Sequence, residues 1–91
     1  MDTAAFEAAL NADGYGEIEK KTVAPNVTNS AHAHPFAVRL MLLSGELTVI
    51  SNGSARTCRS GYTFALEAGC EHVEQYGPEG ATYLVGRKRA R

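Results

Sequence analysis

Three histidines, His32, His34 and His72, are the side chains in this sequence best suited to chemistry near neutral pH. His32 and His34 are separated by one residue. On a β-strand, side chains two apart point to the same face with Cα atoms about 6.6 Å apart, so this pair projects to one side of a sheet. If that side is the interior, two imidazoles are buried together. On a small domain this costs several kcal/mol unless something coordinates them, and a divalent metal is the commonest solution. Cys58 and Cys70 are the only cysteines. Two are too few for the framework of a secreted disulfide scaffold, so both are expected as reduced thiols. Cys70 lies two residues before His72 but beside the Ala68-Gly69 turn, and it reads as an ordinary cysteine rather than a soft ligand. Tyr62, Tyr76 and Tyr83 with Phe36 and Phe64 are candidates for the mouth of a pocket.

The elements that must position these groups are mostly strands. Residues 1–14 are the exception: Phe6, Ala9 and Leu10 recur at helical spacing, and Gly14 stands where a C-cap belongs, so a short helix precedes the rest. Strands are predicted over Ile18–Val23, Ser30–His34, Ala37–Ser44 and Glu46–Ser51, from their alternation of apolar and polar residues. Asn52-Gly53 is a strong hairpin signal, because both central residues of a type I′ turn need positive φ. It joins the last of these strands to one over Ser54–Arg59. Ser60-Gly61 and Ala68-Gly69 flank a strand at Tyr62–Leu66, and two more follow at Glu71–Tyr76 and Ala81–Val85. Between those two, Gly77-Pro78-Glu79-Gly80 reads as a turn, and residues 87–91 as a solvated basic tail. Seven or eight short strands with turns at this spacing predict an all-β sandwich or barrel over residues 15–86.

Length and charge narrow the function classes. A chain of 91 residues is one domain, which excludes two-domain enzymes and doubly wound nucleotide-binding folds. Such a chain buries only about 60–65% of its unfolded surface, so help from a metal or a second copy is expected, and a homodimer is the predicted assembly. Hydrophobic residues at 44% and charged residues at 21% are ordinary for a globular protein, which excludes disorder, collagen and coiled coil. A net charge of −1 argues against nucleic acid as a partner. The longest apolar run, Leu40–Leu43, is far short of a membrane span, and no signal-peptide layout opens the chain. The expected location is cytoplasmic.

The residues around the histidines resemble the cupins, a family of small β-barrels with two short motifs. In the first, His-x-His is followed by a glutamate and then a glycine; here His32-Ala33-His34 leads to Val38 and, after six intervening residues, to Gly45. The second runs Gly, Pro-x-Gly, His, Asn; here Gly61 leads to Glu67-Ala68-Gly69, then His72, then Tyr76. Fifteen residues separate Gly45 from Gly61, the short spacing of compact bacterial cupins. The resemblance implies a small cupin (double-stranded β-helix) barrel with one divalent metal held by His32, His34 and His72. Three departures stand out: Val38 replaces the usual glutamate ligand, Glu67 the proline and Tyr76 the asparagine. Glu74 lies two residues after His72, on the same strand face, and is the nearby substitute for the missing carboxylate. Arg39 would occupy the glutamate position only if the strand shifted by one residue, and it would then bind an anion.

Three neutral imidazoles suffice for Zn, Fe, Mn or Ni and leave positions open for a small-molecule ligand. The resemblance implies dioxygenase, isomerase or lyase chemistry, with Glu74 or Tyr76 as acid or base. The alternative is a metal-containing ligand-binding or sensor domain without turnover, since this fold hosts both.

Overall fold

The computed structural model describes residues 2–89. One helix, α1 (Thr3–Ala12), is followed by six strands: β1 (Gly16–Val23), β2 (Thr28–His32), β3 (Phe36–Ser51), β4 (Ser54–Cys58), β5 (Thr63–Leu66) and β6 (His72–Arg89). All strand pairs are antiparallel.

Two long strands organise the sheet. β3 and β6 pair from Phe36↔Arg89 to Ile50↔Val73, and each exchanges partners halfway along. The first half of β3 and the second half of β6 carry β5 and β1 on their outer edges. The second half of β3 and the first half of β6 carry β4 and β2. The inward residues of both halves meet in one core: Leu40, Leu42, Tyr83 and Val85 from one, Leu47, Val49, Cys58 and Tyr76 from the other. Burying these side chains is the main favourable term in folding the barrel.

The change of partners occurs where β3 and β6 are irregular. Gly45 pairs with Ala81 and Leu47 with Tyr76, so residues 77–80 of β6 stand opposite the single residue Glu46. Residues 77–80 are therefore a wide bulge within a continuous strand and not a chain-reversing turn. Their Gly-Pro-Glu-Gly chemistry serves the bulge, with Gly80 at φ +71° and the Gly77 carbonyl accepting from Asn26 N at 3.0 Å. Likewise the two strands expected over 37–51 are one, with shifts of register at Leu42/Ser44 and Gly45/Leu47. The Asn52-Gly53 hairpin forms as predicted, with φ of +53° and +77°.

Helix α1 opens with the Asp2 carboxylate accepting from Ala5 N at 2.9 Å. It closes on Gly14 at φ +82°, with Gly14 N donating to Asn11 O and Tyr15 N to Leu10 O. Its buried Phe6 and Leu10 pack on Leu84, with Tyr15, Ile18 and Met41 around them. Leu84 and Met41 alternate with the inward residues of β6 and β3, so the helix covers the outer face of one half of the sheet.

The basic segment is not a loose tail over Arg87–Arg89. These residues continue β6, paired to Phe36–Val38, and the Arg89 guanidinium makes a two-point ion pair with Glu17 at 2.9 and 3.0 Å. Ala90 and Arg91 lie outside the described residues. No helix among the described residues is long and apolar enough to cross a membrane.

Candidate metal centre

His32 is the last residue of β2 and His72 the first of β6, and the two are directly paired across the strands. Cross-strand partners have neighbouring side chains, so this register alone brings two imidazoles together, with ring centroids 4.4 Å apart. His34 lies beyond the end of β2, in the connection to β3, and not on the strand expected over Ser30–His34. It still converges on the other two. The Gly69 amide donates to its carbonyl at 2.8 Å, and its ring stacks on Phe36 at 4.9 Å. The ligand nitrogens of the three imidazoles all lie within 4.8 Å of one another.

The outer nitrogens of two of them are held by carbonyls. His32 Nδ1 lies 2.7 Å from Ser30 O and His72 Nδ1 3.0 Å from Cys70 O. A carbonyl only accepts, so each Nδ1 carries the proton and each Nε2 keeps its lone pair, the arrangement that orients metal-binding histidines. Cys70 thus contributes its backbone carbonyl, while its thiol rests 3.1 Å from Ser51 Oγ. Both cysteines are free thiols, and Cys58 is packed in the core, where burial raises its pKa.

Glu74 lies beside the group, on the same strand face as His72. Its carboxylate lies 4.0 Å from His32 Nε2 and 3.8 Å from His72 Nε2, and it accepts from Asn29 Nδ2 at 2.9 Å. The two separations from imidazole nitrogens are too long for hydrogen bonds. They approach the roughly 3.4 Å between two ligand atoms that share one tetrahedral ion at ~2.1 Å bond lengths. The three imidazoles are a donor set that suits a divalent first-row metal. Val38, at the position of the usual glutamate, lines the cavity as an apolar side chain. Arg39 faces the other way: it pairs with Asp13 and lies over the rings of Phe6 and Tyr15 against the helix. The paired register therefore removes Arg39 from the site.

The cluster forms part of the wall of a cavity of about 280 Å³ between the two halves of the sheet. Apolar lining comes from Val38, Leu40, Val49, Leu66 and Val85, and aromatic lining from Phe36, Phe64, Tyr76 and Tyr83. Tyr62, expected with them, is 55% exposed and outside the cavity. Tyr76 is 5% exposed and its hydroxyl has no hydrogen-bond partner. Burial, followed by the neighbouring Tyr83 phenol, holds its pKa far above the ordinary tyrosine value, so Tyr76 keeps its proton and is a donor rather than a base.

Three polar lining residues escaped the sequence reading: Lys21, Asn29 and Arg87. Arg87 was legible, since Tyr83, Val85 and Arg87 continue one period-2 face of β6. Lys21 and Asn29 carry no comparable signal.

Partial burial pushes the His34 pKa below its ordinary value of 6.5, with His32 and His72 acting in the same direction. Folding thus favours neutral His34. Its contribution to stability is present above pH 6.5 and is lost as the pH falls through the depressed native value. In metal-free protein, the melting temperature is expected to fall between pH 7 and pH 5 more steeply than in His34→Gln; parallel curves would contradict this.

No family model and no curated protein matches the chain. Solved structures do match in fold. A structure of unknown function from Rhizobium leguminosarum superposes with a TM-score of 0.75 at 19% identity, covering 80% of this chain and 69% of its own. An RmlC-like cupin from Shewanella frigidimarina gives 0.70 at 20% identity over 81% and 66%. A cupin 2 conserved barrel domain protein from Salinispora arenicola gives 0.68 at 23% over 80% and 62%. The chain therefore spans about two thirds of the length of these neighbours. With two long antiparallel strands that exchange partners halfway, a histidine cluster inside, and these neighbours, the chain has the fold of a small cupin barrel.

Proposed function

We propose that the chain binds one divalent metal through His32, His34 and His72, with Glu74 beside it, and acts on a small organic molecule held in the adjoining cavity. The observation that carries this reading is the convergence of three imidazoles within 4.8 Å on the wall of a cavity of about 280 Å³. That volume is near the lower edge of small-molecule sites, which run from roughly 300 to 1,000 Å³. When bound, a divalent ion supplies Lewis-acid polarisation of a ligand oxygen. The chain's own residues supply the rest. Glu74 is the one carboxylate among the described residues that lines the cavity, and it is placed to take or return a proton. Tyr76 donates a hydrogen bond from the buried wall, and the apolar lining keeps water from the ligand. This set suits isomerase, lyase or dioxygenase chemistry on a compact substrate. Occupation of the same cavity without turnover, as a sensor, requires only the binding residues.

The test is metal analysis of protein purified without a nickel column, followed by assays with and without O₂. Close to one ion per chain is expected, from Zn, Fe, Mn or Ni. Less than about a tenth of an equivalent, unchanged after those metals are added, would refute the reading, because a built three-histidine site holds a divalent ion tightly.

The same reading includes a homodimer. Among the described residues strand β1 pairs only with β6 and so has one unpaired edge, which a second copy can cover. Light scattering at micromolar concentration should report twice the 9.7 kDa chain mass, and a monomer would refute it.

A further inference from the structure

Tyr76 is the one side chain among the described residues with a buried polar atom left without a hydrogen bond. A buried, unpaired hydroxyl is destabilising, and where one occurs in a native fold it calls for an explanation. Tyr76 lies on β6 on the same face as His72 and Glu74, four and two residues further into the barrel respectively, and it lines the cavity. Tyr83 stands close enough to act on the Tyr76 phenol, but no group among the described residues meets the Tyr76 hydroxyl at hydrogen-bonding distance and angle. Directly across from Tyr83 in the pairing of β1 with β6 is Lys21, and Arg87 lies four residues along the same face of β6. Both cations line the cavity. Arg87 also reaches Glu19 at 3.1 Å and Lys21 approaches it at 3.7 Å.

The charges on this wall decide what the hydroxyl is for. Lys21 and Arg87 are balanced by Glu19 and Glu74, so the protein's own charges cancel and a divalent ion leaves the cavity positive. An anion is favoured there. A phenol hydroxyl buried with no partner among the described residues asks for an oxygen acceptor on the ligand.

We propose that Tyr76 is a specificity-determining residue and that the cavity takes a small organic acid of the dicarboxylate class, with an acceptor oxygen bound by the Tyr76 hydroxyl and its charge met by Arg87 and Lys21. The proposal rests on the metal reading above and adds the class of ligand. A site built around a buried donor discriminates strongly against ligands that cannot satisfy it. A hydrogen bond to a charged acceptor is worth about a factor of 10 or more in affinity.

The experiment uses the full chain loaded with zinc, with loading measured first and separately. Malonate and succinate are titrated by calorimetry, alongside the uncharged malonamide and succinamide. At least one diacid is expected to bind, with its diamide at least ~10-fold weaker. Tyr76→Phe removes only the hydroxyl and leaves no new unpaired group. It is expected to lower diacid affinity ~10-fold while zinc affinity holds and the melting temperature holds or rises, which a purely structural role for Tyr76 would not produce. Lys21→Gln, on the exposed rim, should weaken the diacid and not the diamide. If zinc loads and neither diacid binds, or if the diamides or the Tyr76→Phe protein bind equally well, the ligand assignment is overturned and the metal reading stands. Failure of zinc to load overturns both, and the prior loading measurement tells the two apart.

Discussion

Replacing His72 with alanine is expected to abolish metal binding at micromolar concentration while leaving the barrel folded. His72 is the most buried of the three imidazoles, at 3% exposure, and it is fixed from both sides. Its Nδ1 is held by the Cys70 carbonyl, and its strand position is paired to His32. Removing a hydrogen-bond partner behind a metal ligand already costs about 10–100-fold in affinity, so removal of the ligand itself should cost at least ~100-fold. Competition with a chelating dye measures this. Glu74→Gln is expected to lose less, since its carboxylate sits beside two imidazoles and not among the three. The fold should survive because its core does not include the metal: Leu40, Leu42, Leu47, Val49 and Val85 are buried independently of the site. Chelation should therefore lower the melting temperature by an amount that grows with the free metal removed, with the far-ultraviolet strand spectrum retained at room temperature. Collapse of the strand signal with the metal would mean that the metal is structural, as in zinc fingers.

The largest effect on stability is expected at Gly45. Here β3 and β6 exchange partners, and the backbones come too close for any side chain. A Cβ on Gly45 would lie 2.0 Å from the Gly80 carbonyl oxygen and 2.8 Å from Ala81 Cα, both main-chain atoms that no rotamer can move. The φ of +78° adds a second penalty for an L-residue. Gly80 is itself pressed on the next segment, where a Cβ would meet the Val23 carbonyl oxygen at 2.3 Å. Relief at Gly45 would therefore have to displace β1 as well. Gly45→Ala is expected to cost more than about 3 kcal/mol, of a total near ~5–14 kcal/mol for a chain this long. The melting temperature should fall by at least ~12 °C, or the chain should not fold at all. Gly53→Ala is the control. It has nearly the same φ, +77°, but nothing within 4 Å of the added carbon, so its loss should be only about 1–2 kcal/mol. Equal losses at the two positions would show that backbone conformation, and not the close approach, sets the cost.

Much of the protein was legible in the order of its residues. The spacing of His32 and His34, their resemblance with His72 to the cupin motifs, the alternation along the strands, the Asn52-Gly53 turn and the helix ending at Gly14 are local patterns. Their physical causes, strand and helix periodicity and positive φ, act within a few residues. What the tertiary structure decided is of longer range. Residues 77–80 have turn chemistry, yet β3 pairs with β6 on both sides of them and turns them into a bulge. Arg87–Arg89 look like a solvated end, yet Phe36–Val38 and Glu17 hold them in the sheet. Val38 and Arg39 are neighbours, and only the register with β5 and β6 sends one into the cavity and the other to the helix. A one-residue slip would exchange them. The same pairing sets Glu74 beside the imidazoles and leaves the Tyr76 hydroxyl alone inside the barrel. Local sequence settles which way alternate side chains point. Which face becomes the interior, and what each side chain meets there, depends on pairing between residues some forty positions apart.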